Sequence, residues 1–97
     1  MIKATETFNG TWPYTPCFTE VAGFKQHYVD EGPRGAETIL CLHGEPTWGY
    51  LYRKMISPLS ETFRVIVPDH MGFGKSETPQ DRVYTLQSHV ENLERFV

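Results

Sequence analysis

The chain has two cysteines, no acidic run longer than two residues and no basic cluster larger than Arg53-Lys54. Cys17 and Cys41 are too few for a disulfide scaffold or a zinc site. Cys41 lies inside an apolar run, where a thiol reads as a small buried hydrophobe and not as a nucleophile. The formal charge of −3 is spread along the sequence, so nothing marks a nucleic-acid partner or an anionic membrane surface. No apolar stretch approaches the length of a membrane span. Met1 to Gly10 holds no apolar core segment and no small-residue cleavage site, so no secretory signal is read and a cytoplasmic location is the default expectation. Repeats, low-complexity segments and dividing linkers are absent from the sequence.

What is present is an ordinary globular composition, 39% hydrophobic and 22% charged over 97 residues, enough for one small domain at most. Gly10, Pro13 and Pro16 break any periodicity in residues 1–17, which read as an irregular arm pinned by Trp12 and Tyr14. Residues 18–97 carry the strand and helix signals. Phe18 to Ala22 and Phe24 to Asp30 read as two short strands joined at Gly23. Phe24, Gln26 and Tyr28 fall on one face, with Lys25, His27 and Val29 on the other. That mixed alternation suits strands near a sheet edge.

The stretch that organises the rest is Thr38 to Trp48. Ile39 to Leu42 is a continuous apolar run, the pattern of a parallel strand covered on both faces. His43-Gly44-Glu45-Pro46 then turns the chain into an amphipathic segment. Trp48, Leu51, Tyr52, Met55, Ile56 and Leu59 recur at helical spacing, and Gly49, Tyr50, Arg53, Lys54 and Ser57 take the other side. Pro58 is expected to end that helix or distort its last turn. Phe63 to Val67 is a second β-branched run, so the passage predicts a parallel strand–helix–strand crossover. His70 to Tyr84 is a glycine-bearing loop. Thr85 stands at an N-cap position before a helix whose apolar stripe is Leu86, Val90, Leu93 and Val97.

Two turns carry a family resemblance. His43-Gly44-Glu45-Pro46-Thr47-Trp48 resembles the His-Gly-x-Pro turn of α/β-hydrolase-fold enzymes, and its Glu and Trp resemble those of haloalkane dehalogenases. Asp69 to Ser76 resembles the Asp-x-x-Gly-x-Gly-x-Ser turn after the next strand. The resemblance implies an α/β fold, the amino-terminal portion of a hydrolase sheet. It would hold about four strands, an antiparallel pair followed by the parallel crossover, plus two helices. Residues 1–97 would be a single partial domain.

The chemistry implied is attack by an Asp carboxylate on a halogen-bearing carbon, followed by hydrolysis with a histidine base, without metal or organic cofactor. A turn entering a helix presents N–H donors to a developing oxyanion. By resemblance the Glu45 N–H is the first such donor and its side chain helps hold the hydrolytic water; a plain surface carboxylate is the alternative. His43 is read as support for the turn. Gly44 permits close backbone approach, and a cis Glu45–Pro46 bond is one way to fix the bend. Trp48 is read as core packing or as a pocket wall. Asp69 ties down its turn, while Gly72 and Gly74 let it pass beside the site.

Several readings fail on spacing. A phosphate loop needs glycine where Asp69 stands, and a dinucleotide fingerprint needs a third glycine where Glu77 stands. Glu45 and Asp69 as a glycosidase acid pair compete with the separate motif of each. His27, His70 and His89 lack partners at metal-ligand spacing and read as ordinary strand, loop and helix residues. None of the eight glycines forms Gly-x-nucleophile-x-Gly. The expectation is an inactive fragment of a dehalogenase-like enzyme, with an open strand edge inviting self-association or a carboxy-terminal partner. A small organohalide would be the substrate of the complete enzyme. A fragment of an epoxide hydrolase or esterase, or a non-catalytic strand-adding module, are the alternatives.

Overall fold

A computed structural model describes residues 2–44, 47–81 and 84–97. Four strands form one mixed sheet: β1 (Cys17–Thr19), β2 (Gln26–Glu31), β3 (Thr38–Leu40) and β4 (Arg64–Pro68). Their spatial order is β1-β2-β4-β3. β1 and β4 pair antiparallel with β2, and β3 lies parallel to β4 with Ile39 opposite Val65. Between β3 and β4 runs a 3-10 turn, Gly49–Tyr52, continuing into helix α1 (Arg53–Ser60). Helix α2 (Leu86–Phe96) follows the long loop after β4. The expected four strands, two helices and mixed pairing are all present.

Element boundaries differ from the sequence reading for local reasons. β1 stops at Thr19 and β2 starts only at Gln26. Between them the Gly23 N–H donates to the Glu20 carbonyl with Gly23 at φ +87°, which makes a turn of the predicted strand ends. Ala22 and Phe24 are thereby free to pack on Met71 as a small second core. β2, expected near an edge, lies inside the sheet, flanked by β1 and β4. Its residues Gln26 and His27 are both buried, each with a hydrogen-bonding partner across the fold.

Both helical stripes also shift. Because the segment after the turn opens as a 3-10 turn of three residues per turn, Leu51 swings outward and is 54% exposed. Met55 is 49% exposed too, whereas Tyr50, assigned to the outer side, packs against the core. Pro58 sits inside α1 without ending it. In α2, Thr85 is the N-cap: its side chain accepts from the Ser88 N–H, and the Ser88 hydroxyl accepts from the Thr85 N–H. Of the predicted stripe, Leu86, Val90 and Val97 are exposed and Leu93 is half-buried, and the packed side adds Ser88, His89, Asn92 and Phe96. Asn92 meets Met71 and Phe96 meets the Tyr28 ring, so the contacts available to α2 choose its inner face over its hydropathy pattern.

The main core lies on the α1 side of the sheet, where Val29, Val65, Val67 and Cys41 meet Ile56 and Trp12. Tyr14, Trp48, Tyr50 and Leu59 close its rim. The arm contributes Trp12, which is fully buried, and Phe8, which contacts the Trp48 and Tyr50 rings. Its other fastening is electrostatic: the buried Lys75 ammonium donates to the carbonyls of Ala4 and Glu6 at 2.8 Å each. Burial pushes the Lys75 pKa down from its ordinary value, while Asp69 and Glu6 oppose that shift.

The opposite face contradicts the expectation that β3 is covered on both sides. Leu40 and Leu42 are 39% and 38% exposed. A groove of about 340 Å³ runs there, lined by Tyr28, Leu40, Ile66 and Phe96 among others. The only helix reaching this face among the described residues is α2, through Phe96.

Candidate active-site loops

The loops after β3 and β4 leave the same end of adjacent parallel strands, the edge at which open α/β sheets bind ligands. Asp69 stands at the end of β4, fully buried. Its Oδ1 accepts from the Gly49 N–H at 2.7 Å. Its Oδ2 accepts from the Lys75 N–H at 3.0 Å and from His27 Nδ1–H at 2.8 Å. The Asp69 carbonyl accepts from Gln26 Nε2 and from the Ser76 hydroxyl, and Ser76 Oγ in turn accepts from the His27 N–H. A buried carboxylate survives when donors surround it in this way, because each charge-assisted bond offsets part of its lost hydration. The result fixes Gly49, where the segment beyond the β3 turn becomes helical, to the loop beyond β4.

Gly74 belongs to the same knot. At φ +55° it occupies left-handed backbone, and a Cβ there would lie 2.5 Å from Asp69 Oδ2 and 2.7 Å from Trp48 Cβ. Gly72, at φ +84°, lies under the Tyr84 ring. Asp69, Gly72, Gly74 and Ser76, four residues spaced along one motif, thus act within a single compact turn.

His43 and Gly44 line a second cavity, about 440 Å³, together with His70, Phe73, Tyr84, Thr85, Leu86 and His89. His43 is buried and both ring nitrogens are engaged. Nε2 accepts from the His70 N–H at 2.9 Å, so it is the bare nitrogen, and Nδ1–H donates to the Gly44 carbonyl at 2.9 Å. A histidine so placed has no nitrogen left for proton transfer. The His70 ring lies 4.4 Å from that of His43 and 5.4 Å from that of His89. Burial first, then the neighbouring His43 and His89, hold the His70 pKa below the ordinary imidazole value.

Trp48 is not among the residues lining this cavity. It stacks on Tyr50 at 5.5 Å and meets Trp12 at 5.1 Å, joining the turn to the arm. Glu45 and Pro46, with the expected oxyanion donor and the cis bond, lie outside the described residues. Burial pushes the Cys41 thiol up, which keeps it protonated and unreactive. Sequence reasoning missed His27, His70 and Lys75. The signal for His27 was a polar residue alternating with Tyr28 in an interior strand; for His70 it was only its place directly after Asp69. Lys75 offered none, since a lone lysine reads as a solvated charge.

Comparison with known proteins places these loops. A model of the alpha/beta hydrolase fold family matches residues 37–97. The cis-3-alkyl-4-alkyloxetan-2-one decarboxylase of Xanthomonas campestris pv. campestris is 44% identical over 94 residues, covering 89% of this chain and 31% of that protein. A haloalkane dehalogenase of Psychrobacter cryohalolentis is 54% identical over 74 residues, covering 74% of this chain and 24% of that enzyme. Among solved structures, the tetrameric haloalkane dehalogenase DpaA of Paraglaciecola agarilytica superposes with a TM-score of 0.82 at 43% identity, over 89% of this chain and 31% of that one. The chain therefore spans about a third or less of the length of these relatives. With the matched residues covering both loops and the crossover between them, the chain belongs to the alpha/beta hydrolase fold family.

Proposed function

We propose that residues 1–97 are the amino-terminal portion of a haloalkane dehalogenase-like hydrolase, one partial domain that supplies the oxyanion-side loop and half the sheet. The observation that carries this reading is the Asp69 knot, which braces the segment just beyond the His43–Trp48 turn against the β4 loop. Bracing of the flanking segment supports a backbone donor aimed at a reacting atom, and that preorganisation is what oxyanion stabilisation requires. In this reading the Glu45 N–H is the donor, its carboxylate orients the hydrolytic water, and Trp48 backs the turn. The nucleophile, acid and base come from sequence beyond this chain, and a small organohalide is the substrate. A cytoplasmic location fits; among the described residues no helix is long and apolar enough to cross a membrane.

The test is halide release from 1-bromobutane. The full-length enzyme is expected to turn over and the 97-residue chain to give none. Turnover by the chain alone overturns the fragment reading, and inactivity of the full-length protein overturns the dehalogenase reading.

A second reading has its own support: the match to the oxetanone decarboxylase extends over 89% of the chain, against 74% for the Psychrobacter dehalogenase. On that reading the same loops serve a β-lactone. Carbon dioxide release from a cis-dialkyloxetanone, compared with halide release by the same protein, separates the two.

A further inference from the structure

We infer that His70 is a positioning residue that clamps the His43–Gly44 turn, and hence the donor-bearing backbone that follows it. This rests on the hydrolase reading above for its effect on catalysis, but its geometry stands alone.

Two hydrogen bonds cross between the loops and a third lies within the first. The His70 N–H donates to His43 Nε2 at 2.9 Å, and His70 Nε2 lies 3.1 Å from the His43 carbonyl. A carbonyl only accepts, so His70 carries its proton on Nε2. His43, its Nε2 already accepting, carries its proton on Nδ1 and passes it to the Gly44 carbonyl at 2.9 Å. The two rings are therefore held in opposite tautomers, each fixed by the other residue's backbone. The backbone of residues 43 and 44 is gripped at both carbonyls, immediately before the turn. The Asp69 knot grips the same segment from its far side at Gly49. On the hydrolase reading, loosening either fastening is expected to impair the aim of the backbone donor between them.

Phenylalanine at position 70 would keep the ring contacts with His43 and the backbone donation but lose the bond to the His43 carbonyl. Glutamine can restore that bond, because its Nε2 lies where the histidine Nε2 does. Protonation of His70 leaves the Nε2–H donor in place but puts a charge against His43, His89, Tyr84 and Phe73, and among the described residues Asp69 is the carboxylate that favours it.

The experiment uses the full-length protein labelled with nitrogen-15 histidine, read by long-range side-chain NMR at about pH 7.5, where an ordinary imidazole is neutral. The expected spectrum shows His43 as Nδ1–H and His70 as Nε2–H. A neutral His70 that is Nδ1–H overturns the clamp whether or not the enzyme turns over any substrate tested. In kinetics, His70→Phe is expected to lower kcat about tenfold with KM within about twofold, the signature of a misaimed group and not of lost binding. His70→Gln is expected to recover most of that loss. An unchanged kcat in His70→Phe, or no rescue by glutamine in a folded variant, overturns the positioning role. Absence of turnover in the unmutated protein defeats the proposed function instead, and the tautomers then decide the clamp.

Discussion

The two faces of the sheet come from the same strands yet differ in kind. On one, Val29, Val65 and Val67 are sealed under Ile56 and Trp12. On the other, their alternate neighbours Tyr28 and Ile66, with Leu40 of β3, line an open groove that among the described helices only the end of α2 reaches. Strand chemistry does not distinguish them, since β-branched and aliphatic residues serve both sides. What differs is the covering element: α1 arrives by a short crossover and the arm folds over it, whereas α2 sits on the other side after a long loop. The lesson is that an apolar strand records burial in the finished protein, and a stretch of chain shows which part of that burial its own residues provide.

Breaking the sealed side is expected to have the largest effects. Asp69→Ala removes the acceptor for Gly49, Lys75 and His27 together, and leaving buried donors unpaired should cost at least about 3 kcal/mol. Urea denaturation of the full-length protein should show it, with loss of a cooperative transition in the 97-residue chain. Ile56→Ala, at a fully buried position, should cost about 3 kcal/mol by the same measurement. Thr85→Ala breaks the capping box of α2 and should cost about 1 kcal/mol. Leu40→Ser sharpens the contrast directly. In the isolated chain it should change stability by less than about 0.5 kcal/mol and reduce association on size-exclusion chromatography. In the full-length protein it should cost about 2 to 3 kcal/mol, because there the leucine is expected to be covered. Equal effects in both lengths would remove the difference between the faces.

The weakest expected effect is on pH. His70 has a folded pKa below its unfolded value of about 6.5, so the unfolded chain binds the extra proton first. Stability should be complete above that value and decline as pH falls through it toward the folded pKa. A second decline should appear at lower pH. The Asp30 carboxyl is held below its usual range chiefly by its bond to Arg64, with Arg34 assisting and burial opposing. Its contribution is present above the ordinary carboxylate pKa and lost below it. Stability of His70→Phe followed across pH should lack the first decline and keep the second.

Much of the architecture was readable because it is local. The Ile39–Leu42 and Phe63–Val67 runs follow from apolar spacing and β-branching alone, and the strands they contain are Thr38–Leu40 and Arg64–Pro68. The Thr85 cap was legible for the same reason, one hydroxyl before a helical pattern. What escaped were features settled by distant partners. Leu51 and Tyr50 exchanged sides because the turn enters as a 3-10 segment, and α2 chose Asn92 over Val90 because Met71 was the surface available. The site motifs announced Asp69 and its glycines, but their meaning depended on His27, more than forty residues upstream. No period in the sequence links a strand histidine to a loop carboxylate. The pairing of His43 with His70 was hidden for a similar reason, since His70 looks like an ordinary loop residue until β3 and β4 lie side by side.

The Lys75 fastening bears on how the molecule is made. Its ammonium reaches back 71 and 69 residues, to the carbonyls of Ala4 and Glu6. During synthesis Ala4 and Glu6 must wait, unfastened, until three quarters of this stretch has left the ribosome. Contacts so far apart in sequence are late and slow to form. Removal of the first six residues would therefore undo the last stitch of assembly and take both carbonyl acceptors from a buried lysine.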